Sequence, residues 1–455
     1  SMLRWDRVHP YNAVHAVRVR GRANVDAFRE AAWEISSRAG LGEFAANSWG
    51  TAYEYRPLQM VRVMEVAPGP DAEERLVEVV SEEINAGFPA GMHHPIRWTL
   101  FNEIGGENHY VVLSYHHAIS DAFGIEWLLS AVLRRYIGLP AHDDDGHLTT
   151  RLSDLRNSLR VKASPVDYLL GQLRLSVRHW QTRSAHRMPD EECGGDWTAV
   201  AVHTADGLMD RLSAGCKRLG IGVNDAMLAA FTASIAEQTP DRMASRRRRG
   251  LTMATVVSAR KHLQEAEARE FGVCLSSIVV ALRRPDASIE ELARAIARQT
   301  RVLKERPKRA AAETAVRYFS VRWLWRLAAA KYDRMNFRRV FPISGGVSTV
   351  FVDENRFADL DGHVTRYVRA CPAGPAMPLL LGPTVFKGRL ELGLTYRIAS
   401  RTREQAEALL EGTLRRLEQI AEPTGSSTVP ATGLVHKSNE SVDSETRPRA
   451  GAGAV

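Results

Sequence analysis

Strand-like segments alternate with helix-like ones along almost the whole chain, and this alternation restricts the fold more than any other property of the sequence. Residues 14–20 (VHAVRVR) alternate apolar and polar, the period of a half-buried strand, and stop at Gly21. Asn24 then offers an N-cap to a helix reaching about residue 38, with Val25, Phe28, Ala32 and Ile35 on one face. A strand over 58–66 and a helix over 71–85 follow, then two strand-like runs, 96–104 and 110–115, around a Gly105-Gly106-Glu107-Asn108 turn suited to a hairpin. Helical spacing returns over 125–137. The pattern restarts with a strand over 198–204, helices over 207–219 and 224–238, strands over 251–258 and 275–282, and a helix over 288–305. A short strand over 347–352, a cleanly alternating one over 389–396, and a helix to about residue 421 opened by a Thr402/Gln405 capping box complete it. The fold class expected is mixed α/β, used twice.

The two rounds are separated by a charged, Gly-containing stretch, 183–197 (RSAHRMPDEECGGDW), which reads as a linker between residues 1–182 and 198–421. Residues 140–152, with Asp143, Asp144 and Asp145, read as a surface loop. The Ser-, Thr-, Pro- and Gly-rich tail over 422–455 has hardly any bulky apolar residue and is expected to be disordered. Four cysteines, Cys193, Cys216, Cys274 and Cys371, lie far apart without a CxxC pair, so neither a disulfide scaffold nor a zinc cluster is indicated. With 25% charged residues and no apolar run of about 18, the sequence reads as soluble, without an integral membrane segment, and by default cytoplasmic.

Charge is unevenly placed. The formal net charge is +8, yet residues 241–340 alone hold 24 Lys+Arg against 10 Asp+Glu. Arg246, Arg247, Arg248 and Arg249 form its densest run, a candidate docking surface for an anionic partner. Nucleic acid is not expected, because the run lacks interleaved aromatics or any reading motif. No glycine-rich phosphate loop supports a nucleotide-dependent reaction. Residues 311–332 (AAETAVRYFSVRWLWRLAAAKY) read as a basic amphipathic helix that packs in the core, lines an acyl channel or touches a membrane surface.

The densest chemical signal is His116-His117-Ala118-Ile119-Ser120-Asp121, at the end of the 110–115 strand and before a helix. An imidazole displayed there can accept a proton from an alcohol, amine or thiol as it attacks a carbonyl. A metal reading is weaker, since adjacent side chains diverge and no HExxH-type spacing is present. Asp121 is too near in sequence to be assumed a triad partner, and it can equally fix the loop through a cation elsewhere.

HHAISDA resembles the HHxxxDG signature of the condensation-domain and chloramphenicol acetyltransferase superfamily, which also contains wax-ester synthases. His94-Pro95-Ile96-Arg97-Trp98, Asn224-Asp225-Ala226-Met227-Leu228-Ala229-Ala230, Val256-Val257-Ser258-Ala259-Arg260 and the strand over 390–396 resemble further family segments in the same order, over roughly residues 10–421. The resemblance implies two chloramphenicol-acetyltransferase-like subdomains in a V around a central tunnel. It implies His117 as the catalytic base, His116 as its structural neighbour and Asp121 as a loop-fixing carboxylate paired with Arg260. The signature Gly is Ala122 here, with Gly124 following as a supporting residue, and Val347-Ser348-Thr349-Val350 stands where the family often has a Ser-Asn pair.

What the resemblance implies functionally is an acyltransferase that joins a thioester-activated acyl group to a hydroxyl or amine acceptor in natural-product biosynthesis. The donor would carry phosphopantetheine, on coenzyme A or on an acyl or peptidyl carrier protein, and no bound cofactor or metal would be needed. Two other readings stand beside it: an acyl-CoA:alcohol acyltransferase of lipid metabolism, of the wax-ester or diacylglycerol type, and a non-catalytic module of the same fold that docks a carrier protein.

Overall fold

A computed structural model describes residues 6, 9–46, 53–89, 93–140, 165–188, 197–245, 247–258, 260, 271–304 and 342–422, all within one unit, Ser1–Glu422. The expectations for Arg246, for the helix over 311–332, for most of the loop at 140–152, for Cys193 and for the tail lie outside the described residues.

Two sheets organise the chain. The first contains β1 (Asn12–Arg20), β4 (Val63–Glu65), β5 (Ile96–Asn102), β6 (Asn108–His116) and β12 (Val364–Ala370), in the order β12-β1-β6-β5-β4. The second contains β7 (Thr198–Ala205), β8 (Leu251–Ser258), β9 (Leu275–Leu282), β10 (Gly345–Val347), β13 (Leu379–Phe386) and β14 (Arg389–Arg397), in the order β7-β14-β13-β10-β8-β9, with β11 (Val350–Phe351) also on β13. A separate ribbon joins β2 (Glu43–Ala46) and β3 (Tyr53–Arg56). The helices are α1 (Val25–Arg38), α2 (Ala72–Asn85), α3 (Ala122–Tyr136), α4 (Pro165–Arg183), α5 (Leu208–Leu219), α6 (Val223–Glu237), α7 (Ile289–Lys304) and α8 (Arg403–Ala421). The mixed α/β architecture with two sheets is as expected.

Alternation in β1 and β6 divides the first sheet into two buried faces. Val14, Ala16, Val112 and Val368 meet Leu76, Val79 and Ile84 of α2 on one side. Val17, Val111, Leu113 and Tyr115 lie on the other, in the core that holds Phe28 of α1 and Leu128 and Val132 of α3. Helix α2 also touches the second sheet. Asn85 donates to the Thr198 carbonyl at 2.6 Å and accepts from the Thr198 N–H at 2.9 Å, while Val200 joins the α2 core.

The edge strand β12 comes from the C-terminal half of the sequence, so the first sheet is not built from the first half alone. Its backbone runs close to the hairpin of β13 and β14. Gly382 and Gly393 are register partners there, and a Cβ on Gly393 would come within 2.1 Å of the Arg369 carbonyl. Residues 184–188 are not a solvated tether: His186 N–H donates to the Gly250 carbonyl at 2.8 Å, and Met188 is buried in the second core.

Two strand expectations need correction. Of residues 58–66 only Val63–Glu65 form a strand, parallel to β5, with Arg62 and Val66 bonded to β5 at its two ends. The strand expected over 347–352 starts at Gly345 and is interrupted at Ser348-Thr349, where the chain leaves β8 but keeps its register on β13. Among the described residues no single helix is long and apolar enough to cross a membrane.

Two motif segments are structural. Arg97 donates to the buried Glu83 carboxylate at 2.9 Å, which also accepts from Thr99 and Ser114, fixing α2 to β5 and β6. Asp225 accepts from the Gly222 N–H and from Thr300, closing the start of α6 onto α7.

Candidate active site

Strand β6 delivers the two histidines and then stops, because the chain turns back on itself. His117 N–H extends the register with β1 by one residue, donating to the Tyr11 carbonyl at 2.9 Å, and Ile119 N–H then closes the turn on the His116 carbonyl at 3.0 Å. Asp121 then caps α3, its side chain accepting from Gly124 N–H at 3.4 Å. The turn is tight at Gly124: a Cβ there would stand 2.3 Å from Ser120 Oγ and 3.1 Å from the Phe271 ring. Close packing therefore falls on Gly124, and Ala122 sits where a methyl group is accommodated as the first residue of the helix.

The two imidazoles are held as opposite tautomers. His117 Nδ1 lies 2.9 Å from the Ser120 carbonyl oxygen, which can only accept, so Nδ1 carries the hydrogen and Nε2 keeps its lone pair. His116 Nδ1 instead accepts from Ala118 N–H at 3.2 Å, so its hydrogen is on Nε2, 3.5 Å from Asp6 Oδ1. Burial would raise the Asp6 carboxyl, but hydrogen bonds from His116 and from Tyr11 N–H more than offset it and hold the group below the usual range.

The His117 ring is half-buried, stacked on Tyr11 at 5.7 Å and edge-on to Tyr115 at 5.6 Å. Burial lowers its basicity, the Ser120 carbonyl and Asp121 oppose this, and Arg369 adds to it, so the net effect keeps the ring neutral below its ordinary range. A neutral imidazole with a free Nε2 is the form a general base requires.

Asp121 does not touch His117. It is 2% exposed and meets the 6% exposed Arg260 in a two-pronged contact, Nη2 to Oδ1 at 2.8 Å and Nε to Oδ2 at 3.2 Å. Cys274 N–H also donates to Oδ2 at 2.9 Å, Arg260 Nη2 donates to the Gly272 carbonyl at 2.8 Å, and Phe123 covers the guanidinium at 4.5 Å. The carboxylate of the loop is thus tied to residues flanking β8 and β9 of the second sheet. Satisfying both charges in this way is what makes a buried pair tolerable.

The basic run is elsewhere. Arg247 and Arg249 are exposed and Arg248 is half-buried in the loop before β8. Arg260 follows the other end of that strand, roughly 25 Å along an extended segment of this length. The structure does not bring Arg247, Arg248 or Arg249 to His117.

Several residues of the site carry no sequence signal. Tyr11, Asp6, Phe271 and Cys274 reach it through long-range packing. Glu126 and Arg369 are buried near it: burial pushes the Glu126 carboxyl up to about 7, against the pull of Arg369 and Arg356. Cys216, Cys274 and Cys371 are buried, and burial pushes the Cys216 thiol up to about 11.

No family model matches the sequence, and no curated protein matches it. Solved structures do. The trichothecene 15-O-acetyltransferase TRI3 from Fusarium sporotrichioides superposes with a TM-score of 0.69 at 14% identity, covering 91% of this chain and 91% of that one. The first condensation domain of the CDA synthetase gives 0.63 at 14%, over 92% and 93%. The condensation domain of the Monacolin K polyketide synthase MokA gives 0.60 at 14%, over 92% and 94%. The fold is that of the condensation domains. At these identities the likeness concerns architecture, and within the condensation-domain fold of this chain the histidine loop and its Asp121–Arg260 tie stand as described.

Proposed function

We propose that the protein is an acyltransferase of the condensation type, joining a thioester-activated acyl group to a hydroxyl or amine acceptor. The observation that carries this reading is the His117 tautomer, Nδ1–H on the Ser120 carbonyl and Nε2 free, in a loop whose carboxylate is locked by Arg260. Nε2 takes the proton of the acceptor O–H or N–H as that atom attacks the thioester carbonyl. The tetrahedral intermediate collapses with cleavage of the C–S bond, and the proton passes from Nε2 to the departing sulfur, so an ester or amide and a free thiol result. The thioester already holds the activation, so no acyl-enzyme is required. Asp121 acts at a distance by rigidity: fixing the loop preorganises His117.

The donor in this reading carries phosphopantetheine on coenzyme A or on a carrier protein. The exposed Arg247 and Arg249, remote from His117, suit the acidic surface of a carrier rather than the thioester itself. A natural-product pathway is the setting the fold likeness favours.

The test is thiol release from acyl-coenzyme A and acyl-carrier donors, with products read by intact mass against pools of alcohols and amines. His117→Ala should fold normally and lose about 10²–10⁴-fold in turnover. Near-normal turnover by that variant removes His117 as the base.

A further inference from the structure

Arg369 is a buried cation with nothing strong to bind. It is 5% exposed. Its Nη1 reaches the Ser348 carbonyl only at 3.4 Å, its Nη2 reaches Cys371 Sγ at 3.6 Å, and its Nε has no acceptor. Among the described residues no carboxylate lies within ion-pair distance of it; the buried Glu126 carboxyl feels its charge from farther off, and burial pushes that group up to about 7. A buried guanidinium in that state is costly, which makes its position informative.

Strand pairing shows where it points. Arg369 on β12 is opposite His15 on β1, and His15 is opposite Leu113 on β6. Cross-strand partners share a face, as do residues two apart along a strand. Arg369, Tyr367, His15 and Tyr115 therefore stand on one side of the sheet, and ring contacts continue the row: His15 to Tyr367 at 5.6 Å, His15 to Tyr115 at 5.7 Å, Tyr115 to His117 at 5.6 Å. The charge of Arg369 also depresses the basicity of both His15 and His117, added to the larger effect of burial. Beside the guanidinium is a small apolar patch of Cys371, Ala373 and Leu380 with Met377 against it.

We infer that Arg369 is a specificity-determining residue that receives a carboxylate of the acyl acceptor, so that the acceptor class is a hydroxy or amino acid with an apolar substituent. This rests on the acyltransferase reading above. A guanidinium presents paired N–H donors that match the two oxygens of a carboxylate, whereas a thioester donor offers a single neutral carbonyl oxygen near its reacting carbon. The acceptor's carboxylate on Arg369 and its hydroxyl or amine at His117 Nε2 would orient it from two points, and the carboxylate would remain in the product.

Binding tests this without turnover. The probes are 3-phenyllactate and lactate, each against its neutral amide, titrated into the wild-type protein and followed by calorimetry and by the NMR titration of the His117 imidazole. The acids should bind at least about tenfold tighter than the amides, the weight of one charge-assisted hydrogen bond, and should raise the His117 pKa. Arg369→Gln should bind acid and amide alike, and Arg369→Lys should restore part of the preference. Arg369→Met should melt no lower than the wild type, because an unpaired buried cation is removed. His117→Ala should keep the acid preference, so failure of the base assignment and failure of this proposal are distinguishable. Equal binding of acid and amide by the wild type, no binding of either acid at millimolar concentration, or an acid preference surviving in Arg369→Gln overturns it. A large loss of melting temperature in Arg369→Met with no recovery of preference in Arg369→Lys also overturns it, making the residue structural.

Discussion

Arg260 and Arg369 are both buried arginines near the same histidine, and the molecule treats them differently. Arg260 has both oxygens of Asp121, the Gly272 carbonyl and the face of Phe123. Arg369 has one long contact to a carbonyl, one to a thiol and an empty Nε. The first arrangement fastens a loop of one sheet to residues flanking strands of the other. The second leaves hydrogen-bonding capacity unused on the side of the sheet that carries His15 and Tyr115. A buried charge whose partners all come from the protein is architecture; one without them is available to a ligand.

The strongest way to break this contrast is Asp121→Ala. It removes the two carboxylate oxygens that hold the buried Arg260 and should cost about 3–5 kcal/mol in urea unfolding, whereas Arg369→Met should cost nothing. Replacing the pair together, Asp121→Ala with Arg260→Met, should recover part of that loss. If Asp121→Ala unfolds at the wild-type midpoint, the two arginines are energetically alike and the distinction fails.

Gly124→Ala probes the same loop from inside. The added methyl meets Ser120 Oγ at 2.3 Å and the Phe271 ring, and should cost about 1–3 kcal/mol with a drop in turnover as the Ser120 carbonyl shifts from His117. Thermal melting and turnover should fall together; a stable but inactive variant would point to displacement of His117 alone.

The smallest and broadest effect is on pH. Burial holds the imidazoles of His15, His109, His117 and His186 below their ordinary range, and that of His94 at about 4. The unfolded chain protonates them near about 6.5, so it binds more protons in the window below that value, and stability should decline as pH falls from about 6.5 toward about 4. Glu126 acts in the opposite sense. Its folded carboxyl is pushed up to about 7, so its contribution is present at low pH and lost as pH rises through that value. Urea midpoints across this range should fall on acidification, and His94→Gln should flatten the decline. A midpoint that rises instead would mean Glu126 outweighs the histidines.

The local parts of the fold were legible. The N-cap at Asn24 and the Thr402/Gln405 capping box are made by residues within one turn of each other. The strands over 251–258 and 275–282 declared themselves by their runs of apolar and β-branched residues. The histidine loop was legible too, since a strand end, a polar turn and a helix start are contiguous in the chain. Strands β12 and β13 were missed. Residues 364–370 place Arg366 and Arg369 inside a sheet, and residues 379–386 include Gly382 and Pro383, so neither segment shows the ordinary strand pattern.

By itself the sequence determined a mixed α/β chain with His117 displayed after a strand and Asp121 opening a helix, because backbone hydrogen bonding and side-chain periodicity act over a few residues. Only the tertiary structure decided that Phe271 closes on Gly124 rather than on residue 122, and that Arg369 lies buried on the histidine's side of the sheet. Those outcomes depend on which strands become neighbours, and β12 reaches β1 across most of the chain. Burial and partnership are properties of that arrangement, so the sequence shows an arginine at 369 but not that, among the described residues, no carboxylate comes within ion-pair distance of it.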